Sequence, residues 1–208
     1  MKDEYKSLAK SYDSQLKDKL TKAMYTEWRK EAESVIKEQK IKVKTLIDLG
    51  CGTGITTIPW LKKKYKVIGV ELSKLMLKEA KKKSSKVKWI QQDIIKLNIK
   101  EKADIVTCHF DVLNHILKKT DLQKVFHNVH KILNNKGLFI FDMMSPESFL
   151  WLKKRNIKSK ISERAYSKEE VKRMVRKAGF QILRIKKQKT AEWDKKPRRL
   201  LFSMQKAV

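Results

Sequence analysis

Two hydrophobic rhythms run along this chain, and their order sets the fold class. Short apolar runs at 45–49, 66–71, 87–91, 103–108 and 138–142 lack strict alternation and read as strands buried on both faces. Between them, apolar residues recur every three or four positions, the period of a helix packed on one side, over 53–63, 73–82 and 122–133. Strand alternating with helix implies a parallel sheet covered on both faces. Two amphipathic helices lead, over 5–20 and 23–38, and another begins at Pro146 and reaches about Arg155. Ser73 caps the helix that follows it, and Ser167 caps 168–178, with Glu170 completing a capping box. Gly179 ends that helix, and Asn134-Asn135-Lys136-Gly137 ends 122–133. The runs 180–187 and 200–206, separated by a polar segment with Pro197, read as a closing antiparallel pair. The expectation is one doubly wound α/β domain over residues 1–208, with seven strands, mostly parallel.

Composition narrows the setting. The chain has 208 residues, 41% hydrophobic, and no uninterrupted apolar run as long as a membrane span. The first ten residues are charged and carry no apolar signal segment, so a cytoplasmic, non-membrane protein is expected. Cys51 and Cys108 are the two cysteines, one in a glycine loop and one at a strand end, which argues against a disulfide framework. The net charge of +28 points to nucleic acid or another polyanion as a partner class. The plainer reading is a lysine-rich solvated surface, because only eight of the 51 basic residues are the arginines that nucleic-acid grooves recruit. No Cys/His spacing suggests a metal.

The candidate chemistry gathers at strand ends. The run 45–49 passes directly into Gly50-Cys51-Gly52-Thr53-Gly54, a G-x-G-x-G turn and not the G-x-G-x-x-G of a dinucleotide site. No G-x-x-x-x-G-K-[ST] is present here, which excludes a P-loop. Glycine lets the backbone pass close beneath a ligand, and a helix beginning near Ile55 would aim its free N–H groups there. Asp48, Glu71 and Asp93 stand at the C-terminal ends of three successive strands, where an open parallel sheet binds its ligand. Glu71, about 20 residues past the glycines, is placed to accept two ribose hydroxyls.

With these motifs in place the chain resembles the class I S-adenosylmethionine-dependent methyltransferases, specifically the small-molecule branch similar to methyltransferase domain 25. The resemblance runs from about Tyr12 to the C-terminus. Leu46-Ile-Asp-Leu-Gly-Cys-Gly-Thr-Gly54 looks like the family's first motif, Val67-Ile-Gly-Val-Glu-Leu-Ser73 its second, and Gln91-Gln-Asp-Ile94 its third. Residues 103–115 are similar to the fourth, Gly137-Leu-Phe-Ile-Phe-Asp142 to the fifth strand, and 162–170 with 177–180 to the closing helix and strand. The resemblance implies a Rossmann-like sheet and S-adenosyl-L-methionine as cofactor. It assigns Asp48 to orient the glycine loop and to reach the methionine ammonium through a water, Gly50 and Gly52 to pass beneath the methionine and ribose, and Cys51 and Gly54 to the cofactor site with them. Glu71 would hold the ribose diol, Leu72 would flank the adenine, and Asp93 and Ile94 would bind it. Phe110 would line the methionine pocket, and Tyr12 would close over the cofactor or simply pack a helix on the sheet.

His109 and His115, where relatives usually carry a small residue and a tyrosine, are the candidate bases. His127 and His130 are expected on an outer helix surface. Relatives insert antiparallel strands between residues 142 and 166 as a lid over the acceptor; here 143–166 offers one helix, Trp151 and a basic tether. The leading expectation is methyl transfer to nitrogen or oxygen of a small molecule. The alternatives are an RNA- or ribosome-associated methyltransferase and a non-catalytic cofactor-binding protein. The resemblance leaves the oligomeric state, monomer or homodimer, open.

Overall fold

The structure, a computed structural model, describes residues 8–16, 19–154, 162–188 and 199–207. Seven strands form one sheet in the order β3-β2-β1-β4-β5-β7-β6. They are β1 (Thr45–Leu49), β2 (Lys66–Glu71), β3 (Lys88–Gln91), β4 (Ala103–Cys108), β5 (Leu133–Met144), β6 (Phe180–Gln188) and β7 (Arg199–Lys206). β1 to β5 run parallel, and β7 is antiparallel to both β5 and β6, as the sequence pattern implies. The helices are α1 (Tyr12–Gln15), α2 (Lys19–Glu38), α3 (Lys74–Lys83), α4 (Lys119–Ile132), α5 (Pro146–Lys154) and α6 (Lys168–Lys177). Among the described residues no helix is long and apolar enough to cross a membrane.

Period-two strands sort their side chains into two cores. Ile47, Val106, Phe139 and Phe141 face α4 and α6, whereas Leu46, Ile105, Leu138 and Ile140 face α2. The α2 stripe is Met24, Trp28, Ala32 and Val35, spaced as one helical face. Glu31, buried on that face, binds α2 to the closing strands: it accepts from Arg184 (3.1 Å) and from the Ser203 hydroxyl (3.2 Å), and pairs with Lys186. The capping box at Ser167 and Glu170 is formed.

Three boundaries depart from the sequence reading. No α-helix follows the glycine loop; residues 52–57 form turns, and a 3₁₀ helix covers Ile58–Lys63. The cause lies in Ile55-Thr56-Thr57-Ile58, four β-branched residues in a row, and in Pro59, which lacks an N–H. The hydroxyls of Thr56 and Thr57 bond to Asp48 (3.1 and 2.6 Å), and this fixes the turns. The long first helix shrinks to α1, with 1–7 and 17–18 lying outside the described residues. At 134–137 the expected helix terminator belongs to β5: Leu133 already pairs with Ala103, and the register shift beyond it places the bulge there.

Candidate active site

The glycine loop, the loop after β2 and the loop after β4 enclose a cavity of about 500 Å³ at the C-terminal ends of the parallel strands. Its floor is Gly50 and Gly52 with Glu71; Leu72, Met76, Ile94 and Ile95 form one apolar wall, and Phe110, Val112, Ile116 and Leu117 another. Among the described residues that line it, Lys118 is the one basic side chain besides His115.

Each strand end has a separate task. Asp48 does not reach the cavity. It is buried and accepts from Thr107 (2.7 Å) as well as Thr56 and Thr57, so it braces the glycine loop from beneath. Glu71 faces the cavity with one oxygen on the Gly52 N–H (3.0 Å) and the other on the Ser73 N–H (2.8 Å). Gly52 has φ +53°, and a Cβ there would find only the Met76 methyl (3.4 Å) and Tyr12 (4.0 Å), so it would stand in the cavity. Gly54 serves the packing: its φ is +84°, and a Cβ would lie 2.7 Å from the Trp89 ring.

Besides Asp48 and Gly54, three more residues expected at the cavity face elsewhere. Cys51 is buried toward β2, where its sulfur lies 2.9 Å from the space a Cβ on Gly69 would take. Its thiol is pushed well up by burial and then by Asp48, as is that of Cys108. Asp93 caps the short turn at Ile94–Lys96 by accepting from Ile95 N–H (2.8 Å), so Gln92, Ile94 and Ile95 line the cavity in its place. His109 is buried, stacked on Trp28 (4.8 Å between centroids, 4° between planes), with Nδ1 3.3 Å from Asp142; it does not line the cavity. His127 and His130 are half-buried rather than exposed, His130 packing edge-on against Phe180.

His115 does line the cavity. Its Nδ1 lies 3.3 Å from the Ser162 carbonyl and its Nε2 3.9 Å from Glu163. The 162–166 segment is lashed to the loop after β4: Arg164 N–H donates to the Asn114 carbonyl (2.7 Å), Arg164 Nη1 to Leu117 (2.8 Å), and the Tyr166 hydroxyl to Ile116. Ser162 thus joins the cavity wall, whereas Trp151 is not part of it. Residues 155–161, part of the region where the sequence reading expected a reduced lid, lie outside the described residues.

Two further supports escaped the sequence reading. Phe110 and Asp111 both have positive φ (+68° and +60°), a strained turn that aims Phe110 at the cavity. Asp142 accepts the Phe110 N–H (2.8 Å), and the buried Arg199 grips both Asp111 oxygens (2.7 and 2.8 Å) and pairs with Asp142. Burial would lift the Asp142 carboxyl, but Arg199 and then His109 outweigh it and hold it below its ordinary value. The signal in sequence was an arginine opening an apolar strand, Arg199-Leu200-Leu201-Phe202. The second support is Asp13, which accepts from Thr53 in the glycine loop and pairs with Lys83, bringing Tyr12 to the cavity. Burial, then Glu71, Asp111 and Asp13, raises the Tyr12 phenol, so it remains a neutral donor.

Residues 46–137 match the methyltransferase domain family. A protein of Geobacillus sp. (strain WCH70) that bears a methyltransferase name is 30% identical over 146 residues, covering 68% of this chain and 58% of its own length. A Bacillus subtilis relative of like name is 30% identical, with 68% and 56% covered, so the chain spans little more than half the length of these curated relatives. A crystal structure of an S-adenosylmethionine-dependent methyltransferase from Clostridium acetobutylicum superposes with a TM-score of 0.77 at 24% identity, covering 95% of this chain and 99% of that one. Magnesium protoporphyrin IX methyltransferase from Synechocystis, with bound S-adenosylhomocysteine, gives 0.76 at 16% identity over 99% and 97%. At these identities the superpositions establish the fold. The domain match and the relatives 30% identical over 68% of this chain, on that fold, place it among the class I S-adenosylmethionine-dependent methyltransferases.

Proposed function

We propose that the protein transfers a methyl group from S-adenosyl-L-methionine to a nitrogen or oxygen of a small-molecule acceptor. The observation that carries the reading is the joint placement of Gly52 and Glu71. An open glycine floor beside a carboxylate, under apolar walls, suits a ligand with a diol at one end and a flat ring beyond it. Glu71 holds the ribose hydroxyls, Leu72 and Ile94 flank the adenine, Gly50 and Gly52 run beneath the methionine, and Phe110 and Tyr12 close over it. When bound, the cofactor supplies a methyl group already activated on its sulfonium. The chain has to align the acceptor, exclude water and take up a proton. His115 is the group placed to take the proton an acceptor N–H or O–H releases, with Ser162 and Glu163 setting its ring.

A small acceptor is favoured over RNA by the cavity lining, in which Glu71, Asp121 and a single lysine give no cradle for phosphates. The test uses methyl-labelled S-adenosylmethionine with an extract of the source cells, separated by size with and without nuclease. Label in the small-molecule fraction is expected. Nuclease-sensitive label in the large fraction would overturn the assignment of acceptor.

A further inference from the structure

The lysines that give this chain its charge are not spread evenly over the fold. Because β1 to β5 are parallel, the segments that lead into them meet at one edge of the sheet, opposite the cavity. Those segments, 40–44, 62–66, 86–88, 100–102 and 131–136, carry three, four, two, two and two lysines. Every one of these thirteen is exposed, and the only acid among the 22 residues is Glu101. At the chain's overall frequency of 43 lysines in 208, a stretch of that size would hold about four or five. The opposite strand ends behave in the reverse way. Segments 48–54, 71–73, 91–93, 108–115 and 142–147 hold six acids and neither lysine nor arginine. A composition shared by every protein of a lysine-rich cell would raise both ends together; here one is stripped of lysine and the other loaded.

The crowding has physical consequences. Lys63 pairs with Glu33 (2.9 Å) and Lys88 with Glu101; the other eleven have no carboxylate partner among the described residues. Asp104, the nearest acid in β4, spends its carboxylate on the Lys44 and Thr45 N–H groups (2.7 and 3.0 Å) and Asn134 (2.7 Å). Lys206, where β7 ends at the same edge, donates to the carbonyls of His130 and Leu133 and has its ammonium pKa lowered, first by burial and then by Lys102. Like charges packed this way destabilise the free protein and are relieved by a bound polyanion.

We infer that the edge formed by the leading ends of β1 to β5 is a docking surface for the phosphate backbone of a duplex nucleic acid. Five strands at about 4.8 Å spacing make a strip of roughly 20 Å, the reach of five or six phosphates along one strand of a duplex. Lysine suits it as a point charge that reads phosphate without base identity. Single-stranded nucleic acid would call for exposed aromatic rings, yet Trp89 is held by the Ser84 carbonyl (2.9 Å) and Tyr65 stacks on the buried Trp60. A lipid surface would call for apolar anchors, and among the described residues the exposed large hydrophobics, Leu117 and Leu150, lie toward the other end of the strands. The strip lies about one strand length, roughly 17 Å, from the cavity, so it localises the enzyme without presenting the nucleic acid for methylation. This inference does not depend on the acceptor.

The test is fluorescence anisotropy of the full chain with a 20-base-pair RNA duplex and a DNA duplex of the same sequence, over 50–200 mM KCl. Wild type is expected to bind, with affinity falling steeply with salt. The variant K42E/K64E/K66E/K86E should lose roughly a hundredfold or more, and its salt slope should fall by about three to four. A control of equal net charge, K22E/K30E/K168E/K187E, should stay within a few-fold. S-adenosylhomocysteine affinity by calorimetry should be unchanged in both, which certifies the fold. Stronger binding of one duplex identifies whether RNA or DNA is the partner. No binding by wild type, equal loss in both variants, or binding to phosphatidylserine vesicles but to neither duplex would each overturn the inference.

Discussion

At the scale of single residues, the three glycines of the loop look alike in sequence and do different work. Gly52 borders open space, so what a side chain meets there is the ligand. Gly52→Ala adds a methyl at ordinary contact distance from Met76, and Gly52→Val fills the floor. We expect calorimetric affinity for S-adenosylhomocysteine to fall with Ala and to be lost with Val, while both variants unfold cooperatively. Full affinity in the Val variant would mean that the ligand does not cross this loop. Gly54 predicts the opposite division. Both positions carry the roughly 1–2 kcal/mol cost of a left-handed backbone, but a Cβ on Gly54 would also lie 2.7 Å from the Trp89 ring, so Gly54→Ala should lose more stability in denaturant titrations than Gly52→Ala. Glu71 belongs with Gly52: Glu71→Ala should weaken binding by about 1–3 kcal/mol, the scale of hydrogen bonds to a charged group. An unchanged affinity would remove Glu71 from the ribose site. The sequence made all three glycines ligand-facing because spacing records where a backbone must be unusual and says nothing of what lies across from it.

At the scale of elements, strand β7 and helix α6 hold the site together through charge. Arg199 opens β7 and satisfies two carboxylates, one of them fully buried, under the strained turn that carries Phe110. Removing it leaves Asp142 with an uncompensated charge, so Arg199→Met should cost about 3–5 kcal/mol by chemical denaturation. A change below about 1 kcal/mol would show that the buried pair does not anchor the strand. Helix α6 offers a pH test. Lys119, and then the Ser167 N–H, hold the Glu170 carboxyl at about 2 against an ordinary 4.5. A depressed carboxyl contributes stability that is complete above about 4.5 and is lost as pH falls toward 2. Glu170→Gln keeps a capping oxygen but loses the charge that Lys119 pairs with, so it should lower stability at neutral pH by at most about 1 kcal/mol, the scale of an exposed ion pair, and flatten the wild-type decline over that acidic window. Parallel acid curves for the two proteins would show that the capping box does not titrate there. The capping box was legible because it is local: Ser167 and Glu170 are three residues apart. The Arg199 clamp was not, because its partners lie 57 and 88 residues away in the chain.

At the scale of the whole molecule, the alternation of strands and helices along the chain and the end of the sheet that carries the site were legible because they follow from periodicity and from the acids at three strand ends. What stayed hidden required long-range geometry. His109 stands in the fourth motif beside Phe110, yet the strand's alternation turns it onto Trp28 beneath the cavity, leaving His115 as the histidine in the wall. The turn after the glycines looked helical by spacing, but the Asp48 carboxylate captured the hydroxyls that would have lain on the helix. The cavity draws its walls from the loops after β1, β2, β3 and β4 and from α1, so a ligand within it ties together parts of the chain from Tyr12 to Ser162. Binding to the folded state alone must then raise global stability by mass action, about 2.7 kcal/mol at a hundred times the dissociation constant. For a domain of this size that corresponds to a rise of roughly 5–10 °C in melting temperature with saturating S-adenosylhomocysteine. The Gly52→Val protein should show no rise, and the quadruple lysine variant the full one, because the charged edge and the cavity sit at opposite ends of the sheet. A rise retained by the valine variant would place the ligand outside the glycine floor, and its loss in the lysine variant would show that the two ends are coupled.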